Sequence, residues 1–282
     1  MKQTWFLVLF GLIGSAIACA SDFGPTVAEA TFHIGSADEG GTCFFVRPPG
    51  PDTALYLVTA AHVFEALESA PATVRLRERH ADGSYEQPDY SVVLRREGER
   101  LWVRHASEDV GVLRVSDPLP VSIPALPFSV LADEAHFAAA GLNVCSPVFV
   151  LTYPAGFPAR KGGFALVRPA TLASYPLLPV REYPTYAASF TTFGGDSGGP
   201  VFVAEAEGRP LLIGVVVGAF RQDESVKKEF EESTMHHPFG VGLVVHAQLV
   251  RELIEQAARQ AGSGSKKKLP SPKSTGEGGR TN

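Results

Sequence analysis

The sequence predicts an all-β fold of two antiparallel β-barrels in series, closed by a C-terminal helix. Three observations predict it. Short apolar runs of strand length recur along the chain, several with period-two alternation, bounded by Gly, Pro or Asp. A proline-rich break divides these runs into two series of similar size. One segment near the end has apolar residues at helical spacing.

The first series comprises "TFHI", "CFFVR", "ALYLVTA", "TVRLRE", "YSVVLRRE", "LWVRH" and "DVGVLRV". This is the pattern of an antiparallel barrel. The break is "SDPLPVSIPALPFS", residues 116–129, with four prolines. Each proline removes a backbone donor and fixes φ, so the stretch reads as a connector. "LADEAHFAAAGLN" after it predicts a short helix. The second series comprises "PVFVLTYP", "FALVRPATLA", "TYAASFTT", "PVFVAEA", "PLLIGVVVGAF" and "GVGLVVH". In "AQLVRELIEQAARQ", Leu249, Leu253, Ile254 and Ala257 share one helical face, which predicts a closing helix on the second barrel.

The expected organisation is therefore a first barrel over 25–117, a connector over 118–142, and a second barrel with its helix over 143–261. Residues 262–282 are low-complexity and are expected to be disordered. Lys266–Lys268 within them read as a solvated tail.

Residues 1–20 read as a signal peptide. Lys2 supplies the positive start, and "TWFLVLFGLIGSAIA" is too short for a comfortable membrane span. Ala16-Ile17-Ala18 is an A-x-A cleavage pattern. Cys19 follows it directly, and "AIAC" resembles a bacterial lipobox. Two readings stay open: a lipoprotein anchored to a membrane through Cys19, or a soluble secreted or periplasmic protein. Both take the mature chain out of the cytoplasm. The remaining cysteines, Cys43 and Cys145, sit in apolar surroundings and read as two buried free thiols rather than a bridge.

Composition narrows the function. The net charge of -5 speaks against a nucleic-acid binder, and no phosphate loop or dinucleotide fingerprint is present. The adjacent His236-His237 in "KKEFEESTMHHPFG" lack a clear third ligand. That stretch reads as a solvated loop, with no metal or other cofactor expected.

The most informative stretch is "TTFGGDSGGPVFV", residues 191–203. A bland surface loop explains the glycines but not their order around one hydroxyl. A serine is a poor nucleophile unless a held base takes its proton. The oxyanion formed on attack needs preorganised donors. Glycines let backbone N–H groups turn inward, so Gly195 and Ser197 could aim theirs at one spot. Of eight histidines, only His62, in "LYLVTAAHVF", ends an apolar strand and starts a turn. Asp109, in "SEDVGVLRV", leads straight into an apolar run, where a carboxylate needs a donor.

Together, "LVTAAHVF", "EDVGVLRV" and "GGDSGGPVF" resemble the catalytic blocks of the trypsin- or chymotrypsin-like serine proteases, in that family's order, over roughly residues 31–258. The resemblance implies a chymotrypsin-like fold with the active site between the barrels. It implies a triad of His62, Asp109 and Ser197, an oxyanion hole from the N–H groups of Gly195 and Ser197, and a protein or peptide substrate.

The resemblance also implies a role for Asp196 in supporting the oxyanion loop through a cation. In the digestive enzymes that cation is a newly cut N-terminus. No Lys or Arg here precedes an "IVGG"-like start, so a cation from "ARKGG" or Arg168 is expected instead. The substrate pocket by resemblance comprises Thr191, Thr192, Val217, Gly218, Ala219 and Gly240. Thr191 stands where trypsin-type enzymes hold an acid, which points to uncharged side chains at P1, the residue before the cut bond.

Val217 replaces a serine that supports the triad aspartate in the family. Val63 and Val203 replace common cysteines, so the animal disulfide framework is absent and the sequence looks bacterial. No PDZ-like segment follows the second series, so oligomer-gated degradation is not expected. The reading is an exported serine endopeptidase. Two alternatives carry the same residues: an esterase using the same triad, and a catalytically silent protease-like binding module of the cell envelope.

Overall fold

The computed structural model describes residues 23–49, 54–69, 71–115, 117–159, 162–205, 208–228 and 231–265. The segment read as a signal peptide, with Cys19, the tail with Lys266–Lys268, and Arg160 and Lys161 lie outside them.

The first unit opens with α1 (Phe23–Glu29), β1 (Thr31–Gly35), β2 (Gly40–Arg47) and β3 (Leu55–Ala60). There follow α2 (Ala61–Leu67), β4 (Ala72–Arg75), β5 (Glu78–Arg79), β6 (Tyr85–Glu86) and β7 (Asp89–Val92). It ends with β8 (Arg95–Arg96), β9 (Glu99–Arg100), β10 (Trp102–Arg104), β11 (Val110–Val115) and β12 (Leu126–Pro127). These build an eight-stranded sheet in the order β10-β11-β3-β2-β1-β4-β7, with β12 added parallel to β2. The sheet is a half-barrel. The β5–β6 and β8–β9 pairs form separate small hairpins, and their mostly charged, exposed residues cannot be buried in a closed barrel.

The second unit contains α3 (Glu134–Ala139), β13 (Pro147–Thr152), β14 (Leu166–Leu172), β15 (Thr185–Ser189) and β16 (Pro200–Ala204). It continues with β17 (Pro210–Lys228), β18 (Glu231–His246) and α4 (Ala247–Ser265). Its strands close into a barrel in the order β13-β14-β15-β18-β17-β16. Helix α3 is the short helix expected in "LADEAHFAAAGLN". Asp133 caps it by accepting the His136 N–H at 3.0 Å.

Three local expectations are corrected. The segment read as a solvated loop is the return strand of a ribbon: β17 and β18 pair with each other from Arg221↔Pro238 out to Lys228↔Glu231. Pairing begun in the barrel propagates through polar residues that carry little strand signal alone. Helix α4 packs chiefly on β11 of the first sheet, and also on β10, β17 and β18. The half-barrel leaves apolar β11 to be covered, and Leu249, Val250, Leu253 and Ile254 cover it. Cys43 is buried and Cys145 is exposed, both as free thiols. Cys145 lies in a turn at φ 71, outside the apolar strand that its neighbours suggested.

One apolar cluster fills the first unit and crosses into the second through Tyr153, Phe202, Leu212, Val215 and Val217. Arg77 also ties the two units. Its buried guanidinium donates to Thr31 O at 2.6 Å, Glu29 O at 2.8 Å, Gly163 O at 2.8 Å and the Tyr153 hydroxyl at 2.9 Å. It stacks on the rings of Phe32 and Phe164, 4.3 and 4.8 Å from their centroids.

His246 is fully buried between the rings of Phe137 and Tyr186, with centroids 4.8 and 4.7 Å away. Burial lowers its pKa to about 4, against an opposing pull from the backbone of Leu177. The unfolded chain, with an ordinary histidine, binds the proton first as pH falls. Stability from this group is therefore whole above about pH 6.5 and is lost down to about pH 4. The loss is expected to approach about 3 kcal/mol. Urea unfolding at pH 7.5 and pH 4.5 should show it, and His246→Phe should flatten it. An equal pH dependence in His246→Phe would assign the acid lability elsewhere.

Candidate active site

His62 is the second residue of α2, directly after strand β3. Asp109 precedes β11, which pairs with β3 in a register that sets Val110 opposite Ala60. The register brings the carboxylate to the helix start. The Asp109 carbonyl accepts the Ala61 N–H at 3.2 Å. Its Oδ1 accepts the His62 N–H at 2.9 Å, and its Oδ2 lies 2.6 Å from His62 Nδ1. The Arg104 guanidinium stands 3.6 Å from Oδ1. Burial pushes the Asp109 carboxyl upward. The hydrogen bonds and charge of His62, with the Arg104 cation, outweigh it and hold the group below the usual carboxylate range. An ionised carboxylate only accepts, so Nδ1 carries a proton, and in the neutral ring Nε2 is the acceptor.

Ser197 sits in a tight loop between β15 and β16. The Gly199 N–H donates to Asp196 O at 3.0 Å, and the Ala155 N–H donates to Gly194 O at 2.5 Å. Peptide planarity then turns the Ser197 N–H away from Gly199 and the Gly195 N–H away from Ala155. Gly195 has φ 91, and a Cβ there would collide with the Tyr153 carbonyl. Gly198 has φ 87, and a Cβ there would collide with Thr42 O and Thr59 Oγ1. Both positions require glycine twice over, by conformation and by space.

The Asp196 side chain is 3% exposed and holds the loop from beneath. Its Oδ2 accepts the Phe193 N–H at 2.8 Å. Its Oδ1 accepts from Thr152 Oγ1 at 2.8 Å and from Arg168 Nη2 at 2.6 Å. Arg168, on β14, also donates through Nη1 to Thr191 O at 2.6 Å and lies over the Phe190 ring.

The two halves meet on β2. The Thr42 N–H donates to Ser197 O at 2.8 Å. A Cβ on Gly41 would lie 2.8 Å from Ser197 O and 2.9 Å from Cγ2 of Val63, the residue after His62. The serine loop and the start of α2 thus press on the same strand.

A cavity of about 350 Å³ opens beside Ser197, walled by Thr192, Phe193, Val216, Gly218 and Ala219, with Arg221 and Pro238 from the ribbon. Of the six pocket residues expected from the sequence, Thr192, Gly218 and Ala219 line it. Thr191 is exposed and meets Arg168 through its carbonyl. Val217 is buried in the apolar core, and Gly240 lies in β18 at φ 69. None of these three is in the cavity wall.

A family model, described as trypsin-like peptidase domain, matches residues 41–215. The chain belongs to the trypsin-like peptidase domain family. No curated protein matches it. Among solved structures, it is similar to an inactive-form Ser-to-Ala mutant of Rv3671c from M. tuberculosis H37Rv. That match is 20% identical with a TM-score of 0.47, and it covers 86% of this chain and 94% of that chain.

Within this peptidase domain, the sequence left the cation for Asp196 open between "ARKGG" and Arg168. Strand β14 places Arg168 there. Thr42 and Thr152 were not legible as site residues. Both are small hydroxyl residues inside strands, and their partners lie 153 and 44 positions away. The single available signal was a threonine amid an otherwise apolar run, as in "GTCFFV".

Proposed function

We propose that the peptidase is an exported serine endopeptidase that works through His62, Asp109 and Ser197. The 2.6 Å contact of His62 Nδ1 with Asp109 Oδ2 carries the reading, because in the neutral ring it leaves Nε2 to act as the base. Ser197 Oγ attacks the peptide carbonyl while His62 takes its proton and then gives it to the leaving amine. Asp109 holds the imidazole tautomer and stabilises the imidazolium. The N–H groups of Gly195 and Ser197, turned outward, take the oxyanion. Water then releases the acyl group by the same steps in reverse order of roles. Export rests on the signal-like start of the sequence, with Cys19 as the proposed lipid attachment point in a membrane-anchored form.

Specificity follows from the cavity beside Ser197. Among the described residues, Asp196 is the one acidic residue lining it, and Arg168 pairs with that carboxylate. The Thr192 hydroxyl is buried without a partner among the described residues and is available to a polar P1 group. Phe193, Val216 and Ala219 supply apolar surface. Arg221 is exposed, so water screens its charge. P1 preference is therefore uncharged.

Peptide-library cleavage by the mature protein, with Ser197→Ala as control, tests both points. Cuts after uncharged residues are expected. Dominance of Arg or Glu at P1 would overturn the specificity. Ester hydrolysis without peptide cleavage would assign the same triad to an esterase. Turnover of neither would leave a binding module.

A further inference from the structure

Thr42 is fully buried in β2, between the two halves of the site. Its Oγ1 donates to Gly195 O at 2.8 Å and accepts the Tyr153 N–H at 3.0 Å. Its N–H donates to Ser197 O at 2.8 Å. Its carbonyl accepts from Thr59 Oγ1 at 2.7 Å, three residues before His62. One residue thus bonds twice to the serine loop, once to the end of β13 and once to the strand that leads to His62.

We propose that Thr42 is a positioning residue whose hydroxyl holds the oxyanion loop with its donors turned toward substrate. The inference rests on the serine-peptidase reading. Gly195 is flanked by two carbonyls. Ala155 pins that of Gly194, and Thr42 pins that of Gly195 itself. The first fixes the plane that carries the Gly195 N–H, and the second fixes the next plane, between Gly195 and Asp196, so the Gly195 backbone is held on both sides of its Cα. Arg168 and Thr152 anchor the Asp196 side chain but touch neither carbonyl.

Without the Thr42 hydroxyl, the Gly195 carbonyl and the Tyr153 N–H lose a shared partner. With the plane after it released, Gly195 is held by the Ala155–Gly194 bond alone, and a glycine can change the sign of its φ. The N–H that should face the oxyanion then turns away.

Thr42→Val keeps the side-chain shape and removes only the hydroxyl. The measurements are kcat and KM on one peptide substrate, affinity for a peptidyl boronate, and thermal unfolding. A fall in kcat of about 10²-fold is expected, with KM within about twofold, as when an oxyanion donor is lost. Boronate affinity should fall in step with kcat, and Thr42→Ser should recover most of both. An unchanged kcat in Thr42→Val would overturn the proposal. So would a loss of kcat that Thr42→Ser fails to rescue. If Thr42→Val does not fold, Thr42→Ala, which keeps the backbone bond to Ser197, decides on the same criteria. Wild-type protein that a fluorophosphonate probe fails to label would instead sink the serine-peptidase reading itself.

Discussion

Replacing Ser197 by alanine is expected to lower kcat on peptide substrates by on the order of 10⁶. In the proposed mechanism the triad works as a unit. His62 has no proton to take without the hydroxyl, so His62→Ala should cost about as much, and the double replacement little more. Asp109→Asn should cost about 10⁴, because an amide at the 2.6 Å contact favours the wrong imidazole tautomer. Residual turnover should survive in each variant from the proposed oxyanion donors, the N–H groups of Gly195 and Ser197. Labelling by a fluorophosphonate should vanish in Ser197→Ala and weaken sharply in His62→Ala. Peptide turnover by Ser197→Ala within tenfold of wild type would put the nucleophile elsewhere.

The second large effect is expected at Arg168. Its ion pair with Asp196 is among the most buried in the molecule, with side-chain exposures of 18% and 3%. Arg168→Met leaves the carboxylate buried without its cation, at a cost of about 3–5 kcal/mol. The loop bonded to that carboxylate through the Phe193 N–H should loosen with it. We expect kcat/KM to fall at least about 10²-fold, in line with loss of oxyanion stabilisation. Adding Asp196→Asn to Arg168→Met should restore part of the stability, because the stranded charge is gone, but little of the activity. Urea unfolding of the four proteins in the cycle, with kinetics on each, tests this. Additive losses in the double variant would mean that the two side chains do not act as a pair. A cation carried by β14 is in place once the barrel folds.

The two effects differ in how far the sequence revealed them. The serine, histidine and aspartate each sit in a short block with its own pattern: glycines around Ser197, a strand end before His62, an apolar run after Asp109. Arg168 was one of two places the sequence left open for a cation. Arg77 was not legible, and Thr42 showed only as a threonine amid an apolar run. Arg77 bonds to groups 46 and 86 positions away, and Thr42 bonds to Gly195 153 positions away. Nothing near either residue in the chain encodes those partners.

What the sequence determined alone is what lies within a few residues of itself. Strand periodicity set the β class, the proline-rich break its two units, helical spacing set α4, and glycine order marked the serine loop. Tertiary structure decided which unit closed, where α4 lay, how far the β17–β18 ribbon ran, and which pocket residues faced Ser197. Those outcomes depend on pairing register and on burial against distant strands. A chain expresses such energies only after it has folded, so no local pattern can carry them.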